Sequence, residues 1–217
     1  MVKTLEKLGV TIILCNNVYE PAEDTELILE VVQQYNVDGK EILEIGAGTG
    51  IISLILAKKG ANVTAVDISE DAVKCVELNK EVNNLEIEVL KGHLFNPVPK
   101  KQFDMVIFNP PYLPEEEMDY LLEKQYKLAL IGGEEGCELI LEFLDKLPTY
   151  LKDDGIALIV VSSLSNLERI DKKITEIRMH SEIKRQKRFF FETLYVYELK
   201  KINNTSPARQ MTTCNSD

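Results

Sequence analysis

No apolar run in this sequence reaches the roughly 18–20 residues that a membrane-spanning helix needs. The first ten residues mix Lys3, Glu6 and Lys7 with short apolar stretches, so neither the apolar core nor the cleavage site of a secretory signal is expected. The cysteines Cys15, Cys75, Cys137 and Cys214 are scattered, with no C-x-x-C pair and no clustered histidine. Neither a zinc site nor a disulfide framework is expected from that spacing, and a reducing, cytoplasmic setting follows. A broad basic face is also missing, because the formal net charge is −11. The one dense basic run is Lys184, Arg185, Lys187 and Arg188, with Lys172 and Lys173 nearby, and it reads as a solvated turn between strands. Such a balance disfavours a polyanionic substrate, and direct nucleic-acid binding is not expected. Internal repeats and domain linkers are absent too. Residues 203–217 lose apolar content and gain Asn, Thr and Ser, so they read as a disordered tail.

What is present is enough apolar mass for one core, 45% of 217 residues. From about residue 40 the pattern alternates strand and helix. Glu41–Ile45, Asn62–Val66, Leu85–Leu90, Phe103–Phe108 and Gly155–Val161 read as strands. Ile51–Lys59, Ser69–Val82, Gly136–Leu151 and Asn166–Arg178 read as helices, with Ser69 a cap and Glu70 and Asp71 in the first turn of the second. Ser181–Lys187 and Phe190–Leu199 read as a final strand pair. Repeated β-α-β units predict a mostly parallel, seven-stranded Rossmann-like sheet with helices on both faces and an antiparallel C-terminal edge. The expected organisation is an N-terminal segment and lid helix over residues 1–40, a main domain over 41–202 and the tail.

The segment Glu44-Ile45-Gly46-Ala47-Gly48-Thr49-Gly50-Ile51 leaves a strand and enters a helix. Glycines there let the backbone turn sharply and approach a ligand. A nucleotide or NAD site would share that signal. Ile51, however, stands where a dinucleotide fingerprint wants its third glycine, and Glu44 is an acid poorly suited to a pyrophosphate. S-adenosylmethionine (SAM) has no phosphate and carries a cationic sulfonium and amino group, which an acid suits. Asp67 ends the next strand 21 positions after Gly46, where it can accept both ribose hydroxyls. Its plainer reading is a strand-end cap.

Asn109-Pro110-Pro111-Tyr112 follows a buried strand. Two successive prolines have no N–H, so the segment offers carbonyl acceptors, to which Asn109 adds a side-chain carbonyl and Tyr112 an aromatic face. Two acceptors can hold the hydrogens of a planar –NH₂ group and turn its nitrogen towards a methyl donor.

These motifs, together with Val18-Tyr19-Glu20-Pro21-Ala22-Glu23-Asp24-Thr25 and Ala129–Gly136, resemble the HemK-type release-factor glutamine N5-methyltransferases in their short archaeal and eukaryotic branch. The likeness spans about residues 18–200. It implies a class I SAM-dependent methyltransferase fold and a role in translation termination. It implies cofactor contacts at Thr25, Glu44, Gly46, Ala47, Gly48, Gly50, Asp67, Ile68 and Asn109, and a substrate glutamine held by Asn109, Pro110, Pro111 and Tyr112, with Asn109, Pro110 and Tyr112 catalytic. Where the family usually has an acid beside the adenine amine, this chain has His93, whose neutral ring nitrogen can still accept; a solvated surface histidine is the plainer reading. The resemblance further implies a release factor as substrate and a small zinc-binding activator, for which the Leu85–Leu90 edge strand is the expected dock. No metal ligand set is expected in the chain itself. Competing readings are methylation of a nucleobase amino group or of protein lysine, and a SAM-fold module without activity.

Overall fold

The computed structural model describes residues 3–115, 127 and 129–202. The chain begins with two short strands, β1 (Thr4–Lys7) and β2 (Val10–Ile13), and then helix α1 (Glu23–Val32). Strand and helix alternate from there through β3 (Glu41–Ile45), α2 (Ile51–Lys58), β4 (Asn62–Asp67), α3 (Glu70–Asn83), β5 (Ile87–Lys91) and β6 (Phe103–Phe108). The remainder is α4 (Glu138–Tyr150), β7 (Leu151–Ser162), α5 (Leu167–Glu176), β8 (Met179–Arg188) and β9 (Thr193–Lys201). Residues 203–217, read as a tail, lie outside the described residues. Among the described residues, no helix is long and apolar enough to cross a membrane.

Seven strands form one sheet in the order β5-β4-β3-β6-β7-β9-β8, and β1 and β2 form a separate hairpin. The five strands from β5 to β7 run parallel, whereas β9 runs antiparallel to β7 and β8 pairs antiparallel with β9, the antiparallel C-terminal edge expected beyond the β-α-β units. The central strands are apolar on both faces because helices cover both. Side chains of α1, α2 and α3 pack on one face with Ile42, Val63 and Ile107. Those of α4 and α5 pack on the other with Leu43, Val106 and Ile159. Helix ends follow local chemistry: Ser69 accepts from the Ala72 amide, and Asn166 accepts from Arg169.

Three expectations need correction. First, β9 starts at Thr193, not Phe190: Phe190 and Phe191 form the exposed turn, where strand propensity yields to the need to reverse the chain. Second, the basic run is therefore not a turn. Lys184–Arg188 belongs to β8, with Arg185 opposite Val196 and Arg188 opposite Thr193. Third, Cys15 and Cys75 form a disulfide, with their Cα atoms 5.9 Å apart. Spacing gave no hint of it, because the pairing depends on how β2 lies along α3. On that helix Cys75, Asn79 and Asn83 share one face at steps of four. Asn79 Oδ1 accepts from the Ile13 amide at 2.8 Å, and Asn83 Oδ1 accepts from the Thr11 amide at 2.8 Å. Their Nδ2 groups donate back to Ile13 and Thr11 carbonyls at 3.1 and 2.7 Å. Two side-chain amides thus stand in for a partner strand, and the chain leaving β2 meets Cys75.

Candidate functional site

The strand order reverses between β3 and β6, and at the carboxyl ends of these strands and β4 lies a cavity of about 490 Å³. A crevice at that switch point is where open α/β sheets hold ligands. Its floor is the loop between β3 and α2. Gly46, Gly48 and Gly50 have φ of 70°, 55° and 80°, a left-handed backbone that side-chain-bearing residues rarely adopt. Gly46 and Ala47 both donate to the Val66 carbonyl, at 2.8 and 3.1 Å, which ties the loop to β4. Gly46, Ala47 and Gly48 line the cavity. Gly50 does not; it turns the chain into α2, where a Cβ would press on Val76 at 3.1 Å.

Asp67 lies at the end of β4, on the cavity wall. Its Oδ2 accepts from the Gly48 amide at 2.9 Å and its Oδ1 from the Ser69 amide at 2.8 Å. Burial pushes its carboxyl up, against these backbone donors. Ile68, next to it, exposes half its surface. Glu44 lies below the loop and is almost fully buried. Its Oε2 accepts from the backbone and hydroxyl of Ser53. Burial nevertheless pushes its carboxyl to about 8, and the nearby Asp67 adds to that. Two acids with raised affinity for protons form a site suited to a cationic ligand.

His93 also lines the cavity. Its Nε2 lies 3.0 Å from both Glu142 carboxylate oxygens, so in the neutral ring Nε2 donates and Nδ1 is the remaining acceptor. Thr25 faces the cavity from the first turn of α1.

Opposite the glycine loop, β6 delivers Asn109. Phe108, just before it, is clamped on Phe143 at 4.7 Å between centroids, and Phe143 on Phe95 at 5.2 Å, which fixes the strand end. Asn109 Nδ2 donates to Asp24 Oδ2 at 2.9 Å. Asn109 Oδ1 is the one buried side-chain polar atom without a partner among the described residues. An unpaired buried acceptor costs free energy, so such an atom marks a place where a donor is meant to arrive. The Pro110 carbonyl also accepts no hydrogen bond among the described residues. The Tyr112 carbonyl is already occupied, by the Ser165 hydroxyl at 2.8 Å. Pro110 and Pro111 line the cavity, but Tyr112 does not: its half-buried ring packs against the apolar cluster of the α1 face. Its hydroxyl is pushed above the ordinary tyrosine range by burial, then by Asp24 and Glu192. The glycine segment 132–136 backs the motif, since a Cβ on Gly132 would lie 2.5 Å from the Pro111 carbonyl and one on Gly136 2.5 Å from that of Tyr112.

Two residues were missed. Asp24 lies inside the Val18–Thr25 segment but reads from sequence as an ordinary helix-start acid; its contact with Asn109 spans 85 positions. Tyr19 lines the cavity, and burial together with Asp24 pushes its hydroxyl up to about 12. The Pro-x-Glu-Asp-Thr helix start was the available signal for both.

A left-handed glycine loop, the acid Glu44 under it, the acid Asp67 at the end of β4 and the orphaned Asn109 acceptor at the end of β6 define a class I SAM-dependent methyltransferase. The methyltransferase small domain matches residues 16–126. A protein of Methanocaldococcus jannaschii carrying the provisional name protein N5-glutamine methyltransferase is 39% identical over 88% of this chain and 96% of its own length. The release factor glutamine methyltransferase of Geobacter sulfurreducens is 30% identical over 70% of this chain, which spans only 56% of that longer protein. The fold matches the E. cuniculi Mtq2–Trm112 complex, described as responsible for methylation of the eRF1 termination factor, with a TM-score of 0.66 at 22% identity, covering 86% of this chain and 99% of that one. The chain belongs to the protein N5-glutamine methyltransferase family, and its cofactor is SAM.

Proposed function

We propose that this protein methylates the side-chain amide nitrogen of a protein glutamine, the Gly-Gly-Gln glutamine of a peptide-chain release factor. The observation that carries the reading is Asn109, whose amide is anchored on Asp24 so that its buried Oδ1 faces the cavity unpaired. With the Pro110 carbonyl it provides two acceptors for the two hydrogens of an amide –NH₂. The amide nitrogen's lone pair is delocalised, so the site's task is to hold it in line and polarise it. SAM supplies an electrophilic methyl group on a sulfonium. Glu44 would face its cationic end, Asp67 its ribose hydroxyls, and Ile68 and His93 its adenine, with Gly46–Gly48 and Thr25 completing the enclosure. Tyr112 braces the motif from behind.

We read residues 1–40 as the roof of this site, residues 41–202 as the catalytic unit, and the cytoplasm, where release factors work, as its location. For an activator, β5 is the candidate dock. It pairs only with β4, and among the described residues no strand takes its outer edge. A partner strand could add there. The Trm112 subunit of the structural neighbour supports a small partner of this kind.

The test is tritium transfer from SAM to purified release factor, set against tRNA, rRNA and DNA. Label on the Gly-Gly-Gln glutamine supports the reading, and label on lysine or on nucleic acid overturns it.

A further inference from the structure

The link between β8 and β9 is Phe189-Phe190-Phe191-Glu192. Phe190 is 90% exposed and Phe191 82%, their rings edge-to-face at 4.5 Å. Leaving two adjacent phenylalanines in water forgoes burial that most chains take, and such a patch marks a contact surface. Its position is defined by its neighbours. Phe189 packs on the same apolar cluster as Tyr112. Glu192 accepts from the Ser162 hydroxyl at 2.6 Å and lies near enough to Tyr112 and Tyr19 to raise both hydroxyls. The turn is thus tied to Ser162 at the end of β7, three residues before Ser165, whose hydroxyl holds the Tyr112 carbonyl, so it stands on the Tyr112 side of the motif and outside the cavity lining.

Charge separates this turn from the rest of the acidic surface. Within the basic run, Arg185 pairs with Glu30, and Lys184 with Glu182 and Glu198. Among the described residues, Lys187 and Arg188 have no carboxylate partner, and Lys187 Nζ sits over the Phe189 ring at 5.2 Å. Two uncompensated cations flank two exposed rings on a chain of net charge −11.

We infer that the tip of the β8–β9 hairpin is the docking surface for the substrate protein. It would seat an acidic segment with apolar side chains near the methylated glutamine, Phe190 and Phe191 taking the apolar groups and Lys187 and Arg188 the carboxylates. Basic and aromatic residues together also suit single-stranded nucleic acid. A protein segment needs only a few carboxylates to meet Lys187 and Arg188, whereas a nucleic acid brings a continuous run of phosphates against a chain of net charge −11, so a protein fits better. This inference rests on the protein-glutamine reading.

The experiment is steady-state methylation of full-length release factor by the full chain, comparing wild type with Phe190→Ala/Phe191→Ala and with Lys187→Glu/Arg188→Glu. Both sites are solvent-facing, so the variants keep the fold, and unchanged SAM affinity confirms an intact cofactor site. The expected result is a KM for release factor raised about tenfold with kcat nearly unchanged, as loss of a docking contact requires. The wild-type KM should also rise with salt, and the charge-reversed variant should lose that dependence. Wild-type kinetics in both variants would overturn the docking site while leaving the enzyme's function standing. Loss of RNA binding by the variants with release-factor kinetics unaltered would overturn it in favour of nucleic acid. If wild type fails to methylate release factor at all, the functional reading falls instead.

Discussion

Asn109 and Asp24 are held together by a 2.9 Å hydrogen bond that decides which way the asparagine amide faces. Asp24 is itself fixed, because its Oδ1 accepts from the Thr25 amide at 2.7 Å. A carboxylate accepts and cannot donate, so it selects Nδ2 and leaves the carbonyl oxygen for the cavity. Asn109→Ala should lower the single-turnover methyl-transfer rate by about a hundredfold, the scale seen when one electrostatic partner is removed from a reacting centre. Asp24→Ala should cost less, since the asparagine remains but its amide can turn over. The double variant should be little worse than Asn109→Ala, because the two act as one unit. Rapid-quench measurement of all four proteins checks this, and additive losses would show that Asp24 works separately.

Asp67 carries a second prediction. Its removal takes away acceptors for the ribose, worth roughly 1.5–3 kcal/mol for bonds to a charged group. It also orphans the Gly48 and Ser69 amides, which it holds at 2.9 and 2.8 Å. Asp67→Ala should therefore weaken SAM by more than the ribose contacts alone, whereas Asp67→Asn should keep part of the loop's support. Calorimetric titration of both variants decides it; unchanged affinity in Asp67→Ala would remove the residue from the site.

The Cys15–Cys75 bond closes a loop of 60 positions. In the chain-entropy account such a bond stabilises by about 4 kcal/mol, less whatever the reduced hairpin retains through Asn79 and Asn83. Reduction, or Cys75→Ser, should lower the urea midpoint and steepen the slope somewhat, because the unfolded chain without the cross-link exposes more surface. Equal midpoints with and without reductant would mean that the asparagine contacts alone hold β2 on α3.

The parts of this molecule legible beforehand are those with a local period. Strands such as Phe103–Phe108, apolar apart from Asp104 near its start because helices cover both faces, match their expected bounds to the residue. Asp67 and Asn109 were legible because their place at strand ends follows from that period. What escaped depends on distance. The β1–β2 hairpin has four-residue strands, too short for a pattern, and is held by side chains from α3 some 70 positions away. Asp24 looks like any helix-start acid until β6 brings Asn109 to it. The phenylalanines at 190 and 191 favour strands intrinsically, yet the reversal between β8 and β9 overrides that preference.

Glu44 supplies a pH prediction with a definite sign. Burial pushes its carboxyl to about 8, so at pH 7 the site without its ligand is mostly protonated there. A cationic ligand favours the carboxylate, so binding SAM must lower that value and release a proton. SAM affinity should accordingly rise as pH increases from about 6 and level off above 8, where the carboxylate is already formed. The same shift has the opposite sense for the fold. A carboxyl raised from 4.5 in the unfolded chain disfavours the native state increasingly as pH climbs from there to about 8, and bound SAM should offset that loss. Titration calorimetry at pH 7 in two buffers of different ionisation enthalpy measures the released proton directly. Glu44→Gln, which keeps the shape and cannot ionise, should abolish the release and flatten the affinity profile. A wild-type enzyme that binds SAM with no proton released and no pH dependence would show that Glu44 supports the loop through Ser53 without meeting the ligand's charge.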